Sequence, residues 1–436
     1  MTPSKKRRST LSKESARDKP QRKHRPDYMI VLYVGLVMLL GLIIMYAIGP
    51  QRAEVLNAAY ESDYYTDTYF IIKQTLSLAA ALVAMAVMAF APLELIKKYA
   101  GPILASGIIA SVLLMIFGNL LQIESIAQCT LGACRWFELG PLGSFQPAEL
   151  LKFGMMIYLA RFMAAKVKAG TISDWQESVL PILLITAVAS FFVIVVQKDL
   201  GTGISLLAIV AAMFAVAGIN RTIATRLIIG LVALGTIMIV AAPHRVARVM
   251  TFLEGDDVSM QAAEGAGYHI LHAKIALGVG GVFGVGIGNS VQATGYLPEA
   301  INDSVFAIIG ETFGFVGATI LITLFTALLL RLLRVAEYLH DPWKRLLVAG
   351  VFGWLAAHII LNIASMIGVF PLTGITLPLL SFGGTSMVFV AAAIGIVIQA
   401  SRYTSHEPYN QEETTNANLR SGRGIGRTRN AGSRRH

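Results

Sequence analysis

Three carboxylates crowd one short stretch, residues 296–311, which reads YLPEAINDSVFAIIGE: Glu299, Asp303 and Glu311. They stand at the mouth of an apolar run that continues as TFGFVGATILITLFTALLL. A carboxylate beside or inside a hydrophobic span is costly, so each must serve a structural or a chemical end. At a water–lipid boundary, a partly desolvated carboxylate is a candidate general base. Asp303 has that position. Glu311 lies eight residues further on, about 12 Å deeper along a helix, where a buried brace between helices is the stronger expectation. Glu299 follows Pro298 in loop and reads first as a cap or surface contact.

Other polar groups recur in apolar surroundings. In RWFELGPLGSFQPAELLKFG (135–154), Pro147 suits a helix start, and Gln146, Glu149 and Lys152 then fall at i, i+3 and i+6. Glu149 and Lys152 can pair on one face, either as a brace or as part of a pathway. QKDLGTG (197–203) reads as a tight turn with Asp199 capping the next helix, or as a place where Lys198 meets an anionic headgroup. FPLTGITLPLLSFGGTSMVF (370–389) holds two prolines and three glycines, backbone that cannot face lipid. Its hydroxyls Ser381, Thr385 and Ser386 fit a packing turn as well as a binding lip. Cys129 and Cys134, five apart, permit a disulfide without requiring one. GVGIGN (284–289) has no strand before it and no βαβ unit around it, so it is not a dinucleotide loop. His269 and His272 are too few for a metal site.

The elements that position these groups follow from composition. Of 436 residues, 55% are hydrophobic and 14% charged, with mean hydropathy +0.64. A soluble domain of this size needs more surface charge. Apolar runs of about 20 residues recur, each able to cross a bilayer as helix. The expectation is an all-α polytopic membrane protein of about ten transmembrane helices: 28–49, 69–91, 102–121, 146–163, 179–196, 203–219, 226–242, 304–330, 346–366 and 382–400. The first is expected to be an anchor that stays in place, since no cleavage site follows it.

Positive charge orients them. Residues 1–27 carry ten Lys or Arg, the inner connections eleven and the outer ones six. Both termini are therefore cytoplasmic, and a large extracytoplasmic loop, 243–303, joins spans seven and eight. Within it, GYHILHAKIALGVGGVFGVGIG should lie on or dip into the outer leaflet. The basic tails, 1–27 and 403–436, lack apolar periodicity and are expected to be disordered, with topogenic charge that also attracts membrane lipids. That accounts for most of the net charge of +10, and no nucleic-acid role is expected.

The segments RWFELGPLGSFQPAELLKF, QKDLGTG, GYHILHAKIALGVGGVFGVGIGNSVQATGYLPEAINDSVFAIIGETFGFVG and NIASMIGVFPLTGITLPLLSFGGTS, in that order, resemble the SEDS family (FtsW, RodA, SpoVE). The likeness covers residues 28–402, and GGVFGVGIGNSVQ is more like the division members than the elongation members. It implies a peptidoglycan glycosyltransferase of the bacterial cytoplasmic membrane and the division septum. Such an enzyme polymerises lipid II beside a class B penicillin-binding protein and other division proteins. Asp303 stands where the family has its catalytic carboxylate. Gln146, Glu149 and Lys152 match its polar fourth span.

The chain departs from the family at Ile301, Asn302 and Ser304 around that acid, at Ala293, and at His269 and His272. These changes bear on contacts around Asp303. Chemically, chain extension needs a base for the acceptor sugar's 4-hydroxyl and positive charge for a departing lipid pyrophosphate. Arg135, Lys152, Lys198, Arg245 and Arg248 are the candidate cations. A divalent ion, Mg or Mn, would also serve, though no residue set forms a dedicated cage. A lipid II flippase and a non-catalytic division scaffold are the alternatives. The resemblance, with the small-residue runs GFVGAT and VAGVFGWLAAH, implies a partner transpeptidase docked on lipid-facing helices near spans eight and nine and the outer loop before them.

Overall fold

The computed structural model describes residues 24–123, 125–130, 133–140, 143–240 and 266–405, with positions 246 and 250. Its helices are α1 Tyr28–Tyr60, α2 Tyr69–Phe90, α3 Leu93–Lys98, α4 Ala100–Leu120, α5 Pro147–Ala169 and α6 Trp175–Val196. They continue as α7 Leu200–Ala217, α8 Arg221–Val240, α9 Ala266–Gly280, α10 Val305–Glu337, α11 Pro342–Met366 and α12 Thr385–Ser401. A helix falls on each of the ten expected spans. Seven of the helices described (α1, α2, α4, α6, α7, α10 and α11) are long and apolar enough to cross a membrane.

The all-α expectation missed a small sheet. Strands β1 Ala127–Thr130, β2 Ala133–Glu138 and β3 Ser144–Phe145 pair antiparallel in that order. The Cys129–Cys134 disulfide joins β1 to β2. Runs this short were invisible beside spans of 20 apolar residues.

The core is built where helices present small residues to one another. α11 is an inner helix: two thirds (67%) of its most apolar window is buried, against 28% for α10. Its Gly353 lies so close to α7 that an added Cβ would stand 2.6 Å from the Ala208 carbonyl, and Gly350 packs on Met156 of α5. The run VAGVFGWLAAH thus serves internal packing. This corrects the docking expectation for span nine, because small residues permit close helix approach inside a bundle as readily as outside it.

α10 is broken. Gly314 takes φ 66° and ψ −163°, which interrupts the helical ladder. The freed groups find partners in the glycine-rich segment after α9. Phe315 and Val316 N–H donate to Gly281 and Val282 at 2.9 and 3.1 Å, and Val285 and Gly286 N–H donate to Glu311 and Thr312 at 2.9 and 3.0 Å. No Cβ fits at Gly280, which would meet the Gly310 carbonyl. Irregular backbone at membrane depth is tolerable only when paired in this way. The segment expected to dip into the outer leaflet is therefore packed against α10.

The two ends of the described body are tied down to each other and to α10. Arg331 bonds Asp27 at 2.5 Å, Asp27 N–H donates to Ser401 Oγ at 3.0 Å, and Ser405 N–H donates to the Tyr338 carbonyl at 2.9 Å. The structured body thus extends beyond the expected limits of 28 and 402. The rest of both basic tails lies outside the described residues.

Candidate active site

Asp303 closes the turn that leads into α10. Glu299, at φ 51°, starts this turn: its carbonyl accepts from Asn302 and Ser304 N–H at 2.9 and 3.2 Å. The Glu299 carboxylate accepts from Asn302 Nδ2 at 2.5 Å, so it braces its own turn. Ser304 Oγ donates to the Pro298 carbonyl at 2.8 Å and meets His269 Nε2 from α9. Two departures from the family pattern, His269 and Ser304, thus touch each other beside the acid.

Asp303 itself is only 7% exposed. Asn362 of α11 donates its amide to both the Asp303 and the Ile375 carbonyls, at 2.6 Å each. Phe382 N–H donates to the Ile301 carbonyl at 2.8 Å. These bonds fasten the loop between α11 and α12 alongside the acid. Gly374, at φ 71°, would place a Cβ 3.8 Å from Asp303 Oδ2. Ser381 belongs to the same brace, its Oγ accepting from Leu377 N–H at 2.9 Å.

Three helix starts converge nearby. Gln146, which precedes α5, donates its N–H to Thr385 Oγ1 at 3.3 Å and its Nε2 to Asp199 Oδ2 at 3.4 Å. Asp199 caps α7 through Thr202 N–H at 2.9 Å. Gly201 of α7 lies against Thr373 and Ile375 of the loop beside Asp303. The starts of α5, α10 and α12 carry no side-chain cap. At α5, Pro147 has no N–H to cap and Glu149 N–H turns back on the Gln146 carbonyl at 3.1 Å, while Ala307 and Ile308 N–H of α10 both return to the Ser304 carbonyl at 3.0 and 3.3 Å. Ser386 sits half-buried in the first turn of α12. The Gln197 amide, the Thr373 hydroxyl and Asn362 Oδ1 are buried without a hydrogen-bond partner among the described residues. Native proteins leave few such groups, and those they leave call for an explanation, a functional site among them.

The cations behave differently from expectation. Lys152 is fully buried, 2.9 Å from Glu149 Oε1, 3.3 Å from His358 Nε2 and 4.4 Å from the Trp354 ring centre. It braces the bundle and does not face the outer surface. His358 Nδ1 lies 3.2 Å from the Thr376 carbonyl, so one neutral tautomer donates to that carbonyl and accepts from Lys152. Arg135 donates to the Gln197 and Lys198 carbonyls at 3.2 and 3.0 Å, pinning β2 to the exposed turn that carries Lys198 at φ 52°. Arg245 and Arg248 lie outside the described residues. Among the described residues, no group of three or more His, Cys, Asp or Glu is placed to hold a metal ion.

Glu311 is fully buried and accepts from Ser290 Oγ, Val291 N–H and Gln292 N–H at 2.5, 2.9 and 3.2 Å. Gln292 in turn meets His272 Nδ1 at 2.7 Å. The carboxylate holds the 290–294 segment and stands apart from the turn at Asp303. His358 and Asn362 escaped the sequence reading. Their signal was present: two polar residues four apart on one face of an otherwise apolar helix.

A family model described as cell cycle protein, for FtsW, RodA and SpoVE, matches residues 27–406. Stage V sporulation protein E of Bacillus subtilis is 31% identical over 388 residues, covering 88% of this chain and 99% of the relative. A probable peptidoglycan glycosyltransferase FtsW of Nitrosomonas europaea is 31% identical, over 86% of this chain and 92% of the relative. Among solved structures, a chain from a peptidoglycan synthase complex that coordinates polymerization and crosslinking superposes with TM-score 0.67 at 25% identity, covering 88% and 99% of the two chains. The rod shape determining protein RodA of Thermus thermophilus gives TM-score 0.62 at 24% identity, over 88% and 98%.

Proposed function

The chain belongs to the cell-cycle protein family of FtsW, RodA and SpoVE, and from that membership we propose that it is a peptidoglycan glycosyltransferase of cell division. It is a multi-pass membrane enzyme that polymerises lipid II into glycan strands at the outer face. The observation that carries the site assignment is the mounting of Asp303: a nearly buried residue at the outer end of α10 whose backbone carbonyl is tied by Asn362 to that of Ile375 in the loop beside it.

In this reading Asp303 accepts the proton of the acceptor sugar's 4-hydroxyl. The oxygen attacks the donor's anomeric carbon as the bond from that carbon to the lipid pyrophosphate breaks. The electron pair leaves with the pyrophosphate oxygen. The start of α12, with no side-chain cap and with Thr385 and Ser386 half-buried, offers its positive dipole end to that charge. Lys152, sealed in its ion pair, orders the bundle behind it.

The partner is a class B penicillin-binding protein at the septum, seated on the lipid-facing side of α10. Phe315, Ile320 and Leu330 are 70, 54 and 60% exposed there.

Polymerisation of lipid II by purified Asp303→Asn and Asp303→Ala tests the base assignment. Both variants are expected to insert normally and to make no polymer, since neither can take the proton. Near-wild-type polymer from Asp303→Asn would overturn it.

A further inference from the structure

A cavity lies at the end of α5 opposite Gln146. It measures about 460 Å³ and is lined by Lys97, Tyr158, Arg161, Phe162, Lys168 and Trp343, with alanines between them. Arg161 lies about 22 Å along α5 from Gln146, so the cavity opens on the cytoplasmic side. Its three cations come from two separate elements, α3 and α5, while Trp343 of the first turn of α11 supplies a wall.

The cations are held in place. Arg161 Nη1 donates to the Lys97 carbonyl at 3.1 Å, and Lys97 Nζ stands 5.4 Å from the Trp343 ring centre. No acid lines the cavity. Two approach its rim: Glu94, 4.0 Å from Lys97 Nζ, and Asp341, 3.9 Å from Lys168 Nζ. Both contacts are long, and the Glu94 and Lys168 side chains are largely exposed, so neither pairing is strong. Arg161, Ala165 and Lys168 are exposed, which leaves the cavity open to the surface.

We propose that this cavity binds an acidic phospholipid of the inner leaflet. Arg161, Lys97 and Lys168 take its phosphate, and Tyr158, Phe162 and Trp343 pack on the glycerol and upper acyl chain. Basic pockets between helices on the cytoplasmic side recognise anionic headgroups by this combination of charge and apolar wall. A site for free phosphate would share the cations but have no use for the aromatic walls. The volume falls in the range that holds a small ligand. The site is independent of the chemistry at Asp303.

Native mass spectrometry of the full-length protein, extracted from vesicles of phosphatidylcholine and phosphatidylglycerol, tests the proposal. Wild type is expected to retain phosphatidylglycerol in preference to phosphatidylcholine. Arg161→Gln and Lys168→Gln are each expected to lower that retention about fivefold. Arg226→Gln, a cytoplasmic cation outside the cavity, serves as the control for general surface charge and should leave it unchanged. Lys168 is exposed, so Lys168→Gln keeps the test readable if Arg161→Gln misfolds. Equal retention of the two lipids, or equal loss in Arg226→Gln, would overturn the proposal. Displacement of phosphatidylglycerol by millimolar inorganic phosphate would overturn the lipid assignment in favour of free phosphate.

Discussion

The side-chain amide of Asn362 donates to the Asp303 carbonyl and to the Ile375 carbonyl at the same 2.6 Å, tying the acid's own backbone to the loop beside it. One residue of a buried helix therefore sets both the height of Asp303 and the position of its cover. Misplacing a reacting group by an ångström costs about a hundredfold in rate. Asn362→Ala is expected to lower kcat for polymerisation by about 10- to 100-fold while KM changes little. A rise in KM alone, measured with purified protein and lipid II, would mean that Asn362 acts on binding instead.

Lys152 and Glu149 form a sealed pair, and removing one partner of such a pair leaves a buried charge. Lys152→Met alone is expected to cost about 3–5 kcal/mol. Glu149→Gln combined with Lys152→Met should recover most of it. Thermal unfolding of the single and double variants in detergent reads the difference. A double variant as unstable as the worse single one would show that the two residues act separately.

Glu311 accepts three hydrogen bonds that order residues 290–292. Glu311→Gln replaces one acceptor oxygen with a donor facing other donors, at about 1–3 kcal/mol. The expected result is a lower unfolding temperature and lower folded yield, with polymer formation only partly reduced. Complete loss of polymerisation in a variant as stable as wild type would instead give Glu311 a direct part in the reaction.

Cysteine crosslinking to the transpeptidase partner is expected along the exposed side of α10, at Phe315, Ile320 and Leu330, and to be absent from Leu346 to Ala357 of α11. The first group faces outward and the second packs against α5 and α7. Crosslinks confined to α11 would refute this placement and require the bundle to open.

Periodicity and composition reached the membrane class and the positions of the helices, because lipid imposes length and apolarity on every span locally. Asp303 was legible for the same reason: an acid at the mouth of an apolar run stands out against its neighbours. What the sequence could not determine was the company each polar residue keeps. The Glu149–Lys152 spacing allowed a pathway or a brace, and only burial against His358 and Trp354 makes it a brace. The glycines of GVFGVGIG had no visible role until the break at Gly314 in α10 brought unpaired backbone against them. Asn362 became part of the site only through contacts 59 and 13 residues away. Spacing along a chain records what one helix or turn can do alone, whereas pairing across helices depends on which faces meet, and packing of the whole bundle decides that.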